Sequence, residues 1–120
     1  MAKKRFIVEL GYGADLHGGD VTKAAQRAVR DAVSRNCLCG LIDIIGIDDP
    51  HKMHVAVKIG CPKPDQVDAA KVLEVLPFGS REIEIVAGGL SVRGLELPQL
   101  GAGDQICVAV AALTVSVDVE

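Results

Sequence analysis

Aromatic side chains are almost missing from this 120-residue sequence, which contains two Phe, one Tyr and no Trp. The hydrophobic 49% of the chain is therefore dominated by aliphatic residues, and the core must be aliphatic as well. Aliphatic and β-branched side chains pack well on pleated sheets, but each covers little area. A protein built from them often completes its burial against copies of itself, so we expect a homo-oligomer.

Long apolar runs and an excess of positive charge are also missing. No run approaches the roughly 18 to 20 apolar residues of a membrane span, and the formal net charge of −3 argues against binding to a nucleic-acid backbone. The basic residues 3–5 precede an apolar stretch that contains Glu9 and is too short for a secretory signal. We expect a single cytoplasmic domain, residues 1–120, with neither a membrane nor a nucleic acid as partner.

Paired cysteines at zinc-site spacing are lacking too. Cys37 and Cys39 are too close together for such a pair, and Cys61 and Cys107 stand alone, so no metal site is predicted from them. A chain with this much apolar sequence needs no disulfide bonds. We expect the cysteines to be buried free thiols.

Strand and helix patterns alternate along the chain. Predicted strands are at residues 4–11, 52–61, 81–86 and 105–119, and predicted helices are at about 21–36 and 65–76. Residues 41–47 fit either a short strand or an extended packing segment, and residues 91–104 suit a partly ordered crossing loop. The pattern predicts an α+β two-layer sandwich, with two helices packed on one face of a four- or five-stranded mixed sheet. This outline is similar to that of small chorismate-mutase-like oligomers, a likeness that transfers no activity.

Two sets of apolar strand residues bear on which sheet face is buried. Phe6, Val8 and Leu10 alternate in the first strand, as expected of its buried face. The second set is too apolar to remain in water over a wide area. It comprises Ile7, Ile106, Val108 and Val110. We expect this open face, or a sheet edge, to pack on another subunit.

The sharpest local feature is residues 11–20, which read Gly-Tyr-Gly-Ala-Asp-Leu-His-Gly-Gly-Asp and precede the first helix. Glycines let backbone amides approach a ligand, and a helix N-terminus adds free N–H groups with partial positive charge. Asp15 and His17 suit an acid/base pair or two ligands of a metal. The structural alternative is that Asp15 and Asp20 cap the helix while His17 satisfies a backbone carbonyl. The spacing is not a dinucleotide-binding fingerprint.

The same stretch matches Gly-x-Gly-x-Asp-x-His-Gly at every fixed position. It resembles the signature of a family of conserved hypothetical proteins found in bacteria and, with an N-terminal extension, in plants, and the resemblance covers nearly the whole chain. It implies a functional loop but neither a substrate nor a cofactor. The implied signature residues are Gly11, Gly13, Asp15, His17 and Gly18.

A second set of polar residues lies around the start of the strand at 52–61. His51 and His54 are three residues apart, but the alternation places His54 on a strand and His51 before it, so the pair does not predict a bridged metal. Lys58 shares the face of His54. It is a candidate binding residue, or else it pairs across the sheet with Glu9 or Glu84.

Three functions remain open at this point. The first is a homo-oligomer that binds a small anionic metabolite at residues 11–20 near a subunit interface, with His54 and Lys58 reaching in. The second is a hydrolase, lyase or isomerase that uses His17 as acid or base oriented by Asp15. The third is a structural oligomer without a ligand.

Overall fold

The sheet is organised around the last strand of the chain, which pairs with three of the other strands. The computed structural model describes residues 2–100 and 103–120. Strand β1 (Ala2–Asp15) runs antiparallel to the last strand, β5 (Gln105–Val119). β5 also pairs antiparallel with β2 (His54–Cys61), which in turn pairs parallel with β3 (Ser80–Ala87). The short strand β4 (Leu90–Arg93) pairs with the start of β5, giving a five-stranded mixed sheet.

Three α-helices accompany the sheet. They are α1 (Val21–Ser34), α2 (Cys39–Asp43) and α3 (Ala69–Leu73). Single 3-10 turns lie at Pro50–Lys52, Pro64–Gln66 and Pro98–Leu100. The α+β class and the mixed sheet are confirmed, with three helices where two were predicted. Among residues 2–100 and 103–120, no helix is long and apolar enough to cross a membrane.

α1 packs closely on β1 and β5 because both surfaces are built from small residues. Its buried stripe has the predicted spacing of one helical face: Val21, Ala24, Ala25, Ala28, Val29 and Ala32. Gly11 and Gly13 lie opposite it in β1, where a Cβ on Gly11 would be 2.5 Å from the Ala28 oxygen. Helix and strand backbones therefore approach each other more closely than any larger side chain allows.

β1 corrects two predictions. The strand continues through the glycines to Asp15 instead of ending at Gly11, since the ladder with β5 is unbroken from Ile7 to Asp15. Its helix-facing side carries Ile7 and Glu9, whereas Val8 and Leu10 lie on the open face. The predicted faces are thus reversed, because a strand pattern does not tell which of two apolar faces meets the helices.

Other segments differ from the sequence expectations in extent. The second predicted helix, residues 65–76, is the single short helix α3, which begins after the N-cap Asp68. Residues 41–47 begin within helix α2 rather than in a strand. The predicted crossing loop at 91–104 contains most of β4, and its residues 101 and 102 lie outside the described residues.

The cysteines divide into two pairs. Cys61 and Cys107 are buried, and burial raises the pKa of both thiols. Cys37 and Cys39 are exposed free thiols, so the prediction of burial is wrong for them. Cys39 is the first residue of α2 and Cys37 lies two residues before it, so both thiols are at the exposed N-terminal end of this short helix.

Side chains of α1 occupy the outer edge of β1. The Tyr12 N–H donates a hydrogen bond to Asp31 Oδ2 at 2.9 Å, and Arg27 Nη1 donates to the Ala14 carbonyl at 2.7 Å. The bond from Tyr12 is the largest cause of the lowered pKa of Asp31, and Arg35 adds to it. Both backbone groups would otherwise be open to pairing with another strand.

Candidate functional site

Asp15 closes the turn between β1 and α1. Its side chain is 7% exposed, and Oδ2 accepts a hydrogen bond from the Asp20 N–H at 2.8 Å. Oδ1 lies 3.5 Å from Arg27 Nη1. Asp20 in turn accepts from the Lys23 N–H, which caps α1. The capping roles of Asp15 and Asp20 that the sequence suggested as an alternative are therefore present.

His17 is held in the same turn but does not share these bonds. Gly18 and Gly19 have φ angles of 95° and 64°, which favour glycine and turn the chain sharply into α1. The His17 Nδ1 atom is buried and has no hydrogen-bond partner among the described residues. A Cβ on Gly103 would lie 3.6 Å from Gly18 Cα, so the segment before β5 packs against this turn.

The predicted pairing of Asp15 with His17 is not formed. The Asp15 carboxylate is occupied by the Asp20 amide and faces Arg27, and none of the hydrogen bonds of residues 2–100 and 103–120 joins it to His17. In the same residues, no group of three or more His, Cys, Asp or Glu side chains is arranged to hold a metal ion. Asp15 therefore acts on the shape of the turn, and His17 keeps a buried ring nitrogen with no hydrogen-bond partner among the described residues.

The two glycines of β1, Gly11 and Gly13, serve the packing of α1. A Cβ on Gly13 would lie 2.6 Å from the carbonyl carbon of Arg27, so this position faces the helix and not a ligand loop. The same holds for Gly11, which lies under Ala28 and Ala32. Their contribution to a site is indirect, since they let the N-terminus of α1 reach the turn.

His54 and Lys58 do not join the turn within one chain. His54 pairs with Ser116 of β5, whereas Asp15 pairs with Cys107, nine residues away on the same strand. At about 3.3 Å per residue the two positions are roughly 30 Å apart. Lys58 Nζ lies 3.5 Å from Glu84 Oε1, which confirms the predicted cross-strand pair, while Glu9 is on the other face.

A cleft of about 740 Å³ lies beside His54 at the opposite end of the sheet from His17. His54 Nε2 is 2.9 Å from Asp118 Oδ2, so the structure pairs this histidine with a carboxylate that the sequence did not single out. Lys52 and Asp48 form an ion pair at 2.6 Å on the cleft wall; the pair raises the pKa of Lys52 and lowers that of Asp48. His51 also lines the cleft. The His54 side chain is 30% exposed and the Asp118 side chain is 44% exposed, so their pair is a weak surface interaction.

Glu9 is the other residue that sequence reasoning missed. It is 5% exposed on the helix-facing side of β1, where an apolar residue is usual. Burial raises its pKa above the ordinary value of 4.5, and the neighbouring Asn36 side chain lowers it by a smaller amount. The alternation of Val8 and Leu10 as the buried face of the strand predicts that Glu9 faces outward. The burial of Glu9 becomes apparent only when the observed face of β1 is known.

Replacing Glu9 with Gln is expected to stabilise the protein at neutral pH. Because the folded-state pKa is raised, the unfolded state releases its proton first, and Glu9 lowers the free energy of unfolding as the pH rises above 4.5. Denaturant unfolding at about pH 4 and about pH 7 should show that Glu9→Gln has a higher free energy of unfolding than wild type, and the difference should be larger at pH 7. The exposed Glu82→Gln is the control and should show no such difference. An equal effect of Glu9→Gln at both pH values would contradict the assignment.

Comparison with known proteins places this architecture in a family. A family model described as a conserved hypothetical protein, Lin0512_fam, matches residues 5–115. The chain belongs to Lin0512_fam. The matched range includes Glu9, the turn at residues 15–20 and His54, but it ends before Asp118. A search of the curated proteins finds no match.

A solved structure is similar to this Lin0512_fam chain over nearly its whole length. It is an FtsZ-like protein of unknown function from Nostoc punctiforme, 41% identical in sequence, with a TM-score of 0.90. The alignment covers 99% of each chain. Both comparisons describe conserved proteins of unknown function, so the chemistry has to be argued from the site itself.

Proposed function

We propose that the protein is a homo-oligomer that binds a small anionic metabolite at the turn of residues 15–20, close to an interface between copies. The buried His17 Nδ1 atom, which has no hydrogen-bond partner among the described residues, carries the ligand part of this proposal. A buried polar atom left without a partner costs free energy, and in native proteins such atoms are usually satisfied by water, an ion or a ligand. A bound molecule at the turn would supply the missing partner.

The charges around the turn support an anion as that molecule. α1 has 14 residues and carries no acidic residue in its first turn, so its N-terminal partial positive charge is directed at the turn. On the same helix, Lys23 and the half-exposed Arg27 balance the charges of Asp15 and Asp20, so an anion at the turn would not meet a net negative charge from these four side chains. Gly18 and Gly19 leave the main chain uncovered next to His17.

The open face of the sheet supports association between copies. Val8, Leu10, Tyr12 and Val110 lie there at 46% to 65% exposure. The accessible surface is 7145 Å², against about 6,200 Å² for a compact monomer of this mass. That excess is close to the roughly 800 Å² that each partner buries in a standard interface. His54 and Lys58 of one chain would reach the turn only from a neighbouring copy.

The enzyme alternative has less support than binding. A hydrolase, lyase or isomerase that uses His17 oriented by Asp15 needs a hydrogen bond between the two, and Asp15 is occupied by Asp20 and Arg27. The chorismate-mutase-like outline stays a prediction and supplies no substrate. The proposal accordingly stops at binding.

A screen of carboxylate and phosphate metabolites by thermal shift tests the ligand part. A true ligand at about 100 times its Kd should raise the Tm of wild type by on the order of 10 °C. His51→Ala, an exposed histidine at the other end of the sheet, should respond like wild type, whereas His17→Ala should lose the shift. Failure of every anion to stabilise wild type would refute the proposal, and so would an equal shift in His17→Ala.

A further inference from the structure

A second cavity lies inside the molecule, between the sheet and the helix layer. It has a volume of about 160 Å³ and lies at the C-terminal end of α1, where Val33 and Asn36 line it. Its apolar walls come from both layers: Val33, Leu38, Met53, Val55, Leu76, Pro77, Phe78, Leu113 and Val115.

Within residues 2–100 and 103–120, two polar side chains line this cavity, Glu9 and Asn36. Asn36 Nδ2 donates a hydrogen bond to the Ala32 carbonyl at 2.9 Å, which fixes this side chain at the end of α1. No Lys, Arg or His lines the cavity, and none of the ion pairs of residues 2–100 and 103–120 includes Glu9. A carboxylate withdrawn from water without a counter-ion is unfavourable unless a cation or proton donor reaches it.

An apolar groove continues the cavity toward the surface. It holds about 320 Å³ and shares Leu38, Met53 and Phe78 with the inner cavity, so the two spaces meet at these side chains. The groove is lined by α2 and the 3-10 turn at Pro50–Lys52, and no charged side chain lines it. Phe78 is 37% exposed where the two spaces adjoin, so the groove lies between solvent and the cavity that Glu9 lines.

We propose that Glu9 and this cavity bind a small organic cation, a primary amine that carries an alkyl or aryl body. The ammonium group would donate charge-assisted hydrogen bonds to the Glu9 carboxylate, the only charged group in the cavity. The apolar body would lie along the groove, where it replaces water against aliphatic walls. Charge complementarity selects this class: a carboxylate would be repelled, and a neutral molecule would leave Glu9 without a counter-ion.

This site is separate from the turn that holds His17. Glu9 pairs with Leu113 and Asp15 pairs with Cys107, six residues apart on β5, or roughly 20 Å. The two sites also prefer opposite charges. Binding at one therefore does not depend on the proposed function at the other, and variants of each can be tested against both.

Calorimetric titration with hexylamine, hexan-1-ol and hexanoate tests the proposal on the intact chain. Hexylamine should bind wild type, and hexanol should bind it more weakly than the amine. Hexanoate is titrated into His17→Ala, which lacks the proposed anion site at the turn, and should not bind there. Glu9→Gln keeps the shape of the side chain but removes its charge, so it should weaken hexylamine binding about tenfold to a hundredfold and leave hexanol unchanged. Glu82→Gln on the open face and His17→Ala should bind hexylamine like wild type.

Three results would overturn the proposal: no binding of hexylamine to wild type at millimolar concentration, equal binding to Glu9→Gln, or binding of hexanoate to His17→Ala as tight as that of the amine. The ligand series on wild type needs no variant, so a folding defect in Glu9→Gln would not hide the answer. Loss of amine binding in His17→Ala would show that the two sites are not independent and would also contradict the assignment.

Discussion

Replacing Gly13 with alanine is expected to lower the free energy of unfolding by about 3 kcal/mol or more, the upper range for overpacking a core. A Cβ there would lie 2.6 Å from both the carbonyl carbon and the Cβ of Arg27, and its other near neighbour is backbone of Ala28. Backbone atoms cannot rotate away as a side chain can, so α1 would have to move off the sheet. The Tm should fall by on the order of 10 °C, measured by calorimetry or circular dichroism.

Gly40→Ala is the matched control for this effect. Its Cβ would lie 3.1 Å from the tip of the Phe6 ring, a side chain that can shift, and alanine favours helix α2. The free energy of unfolding of this variant should be within about 0.5 kcal/mol of the wild-type value. Similar losses in both variants would mean that the glycines of β1 are not selected by the approach of α1.

Replacing Leu10 with lysine is expected to convert an oligomer into monomers. Leu10 is 65% exposed in the middle of the open face, where it pairs with Ala112, whose other neighbour is Lys58. If this face lies in the interface, a lysine there loses the burial of leucine and places a charge near Lys58. The association constant should fall by about a hundredfold or more, while the fold of each chain is unchanged because Leu10 is exposed.

Ile44→Lys provides the control for Leu10→Lys. Ile44 is 82% exposed beside α2 and lies away from the open face of the sheet. Sedimentation velocity at micromolar concentration should give the oligomer for wild type and Ile44→Lys and the monomer for Leu10→Lys. A wild type that sediments as a monomer would sink the association proposal, as would an oligomer that Leu10→Lys leaves intact.

Local patterns predicted much of the fold. The stripe of α1 and the alternation of β2 repeat over enough residues to define one face each, and β5 has the predicted bounds 105–119. β1 was harder because its more apolar side, with Val8 and Leu10, is the one that the helices leave uncovered. The prediction that Val8 and Leu10 are buried would be correct for an oligomer in which a second copy covers the open face.

The candidate site was predicted in part. The sequence pointed to His17 in a glycine turn, and the structure leaves that side chain with an unpartnered nitrogen among the described residues. It could not show that Asp15 bonds Asp20, or that His54 meets Asp118, because both depend on how distant segments pair. Register between strands far apart in sequence is set by tertiary packing rather than by local composition.

The side chains that occupy the outer edge of β1 also limit how copies of this protein can meet. A further chain cannot extend the sheet past Tyr12 and Ala14 while Asp31 and Arg27 hold those main-chain groups. Growth strand by strand into an endless ribbon is thereby blocked at this end of the molecule. Crowded solutions of the protein should accordingly favour finite particles over fibres.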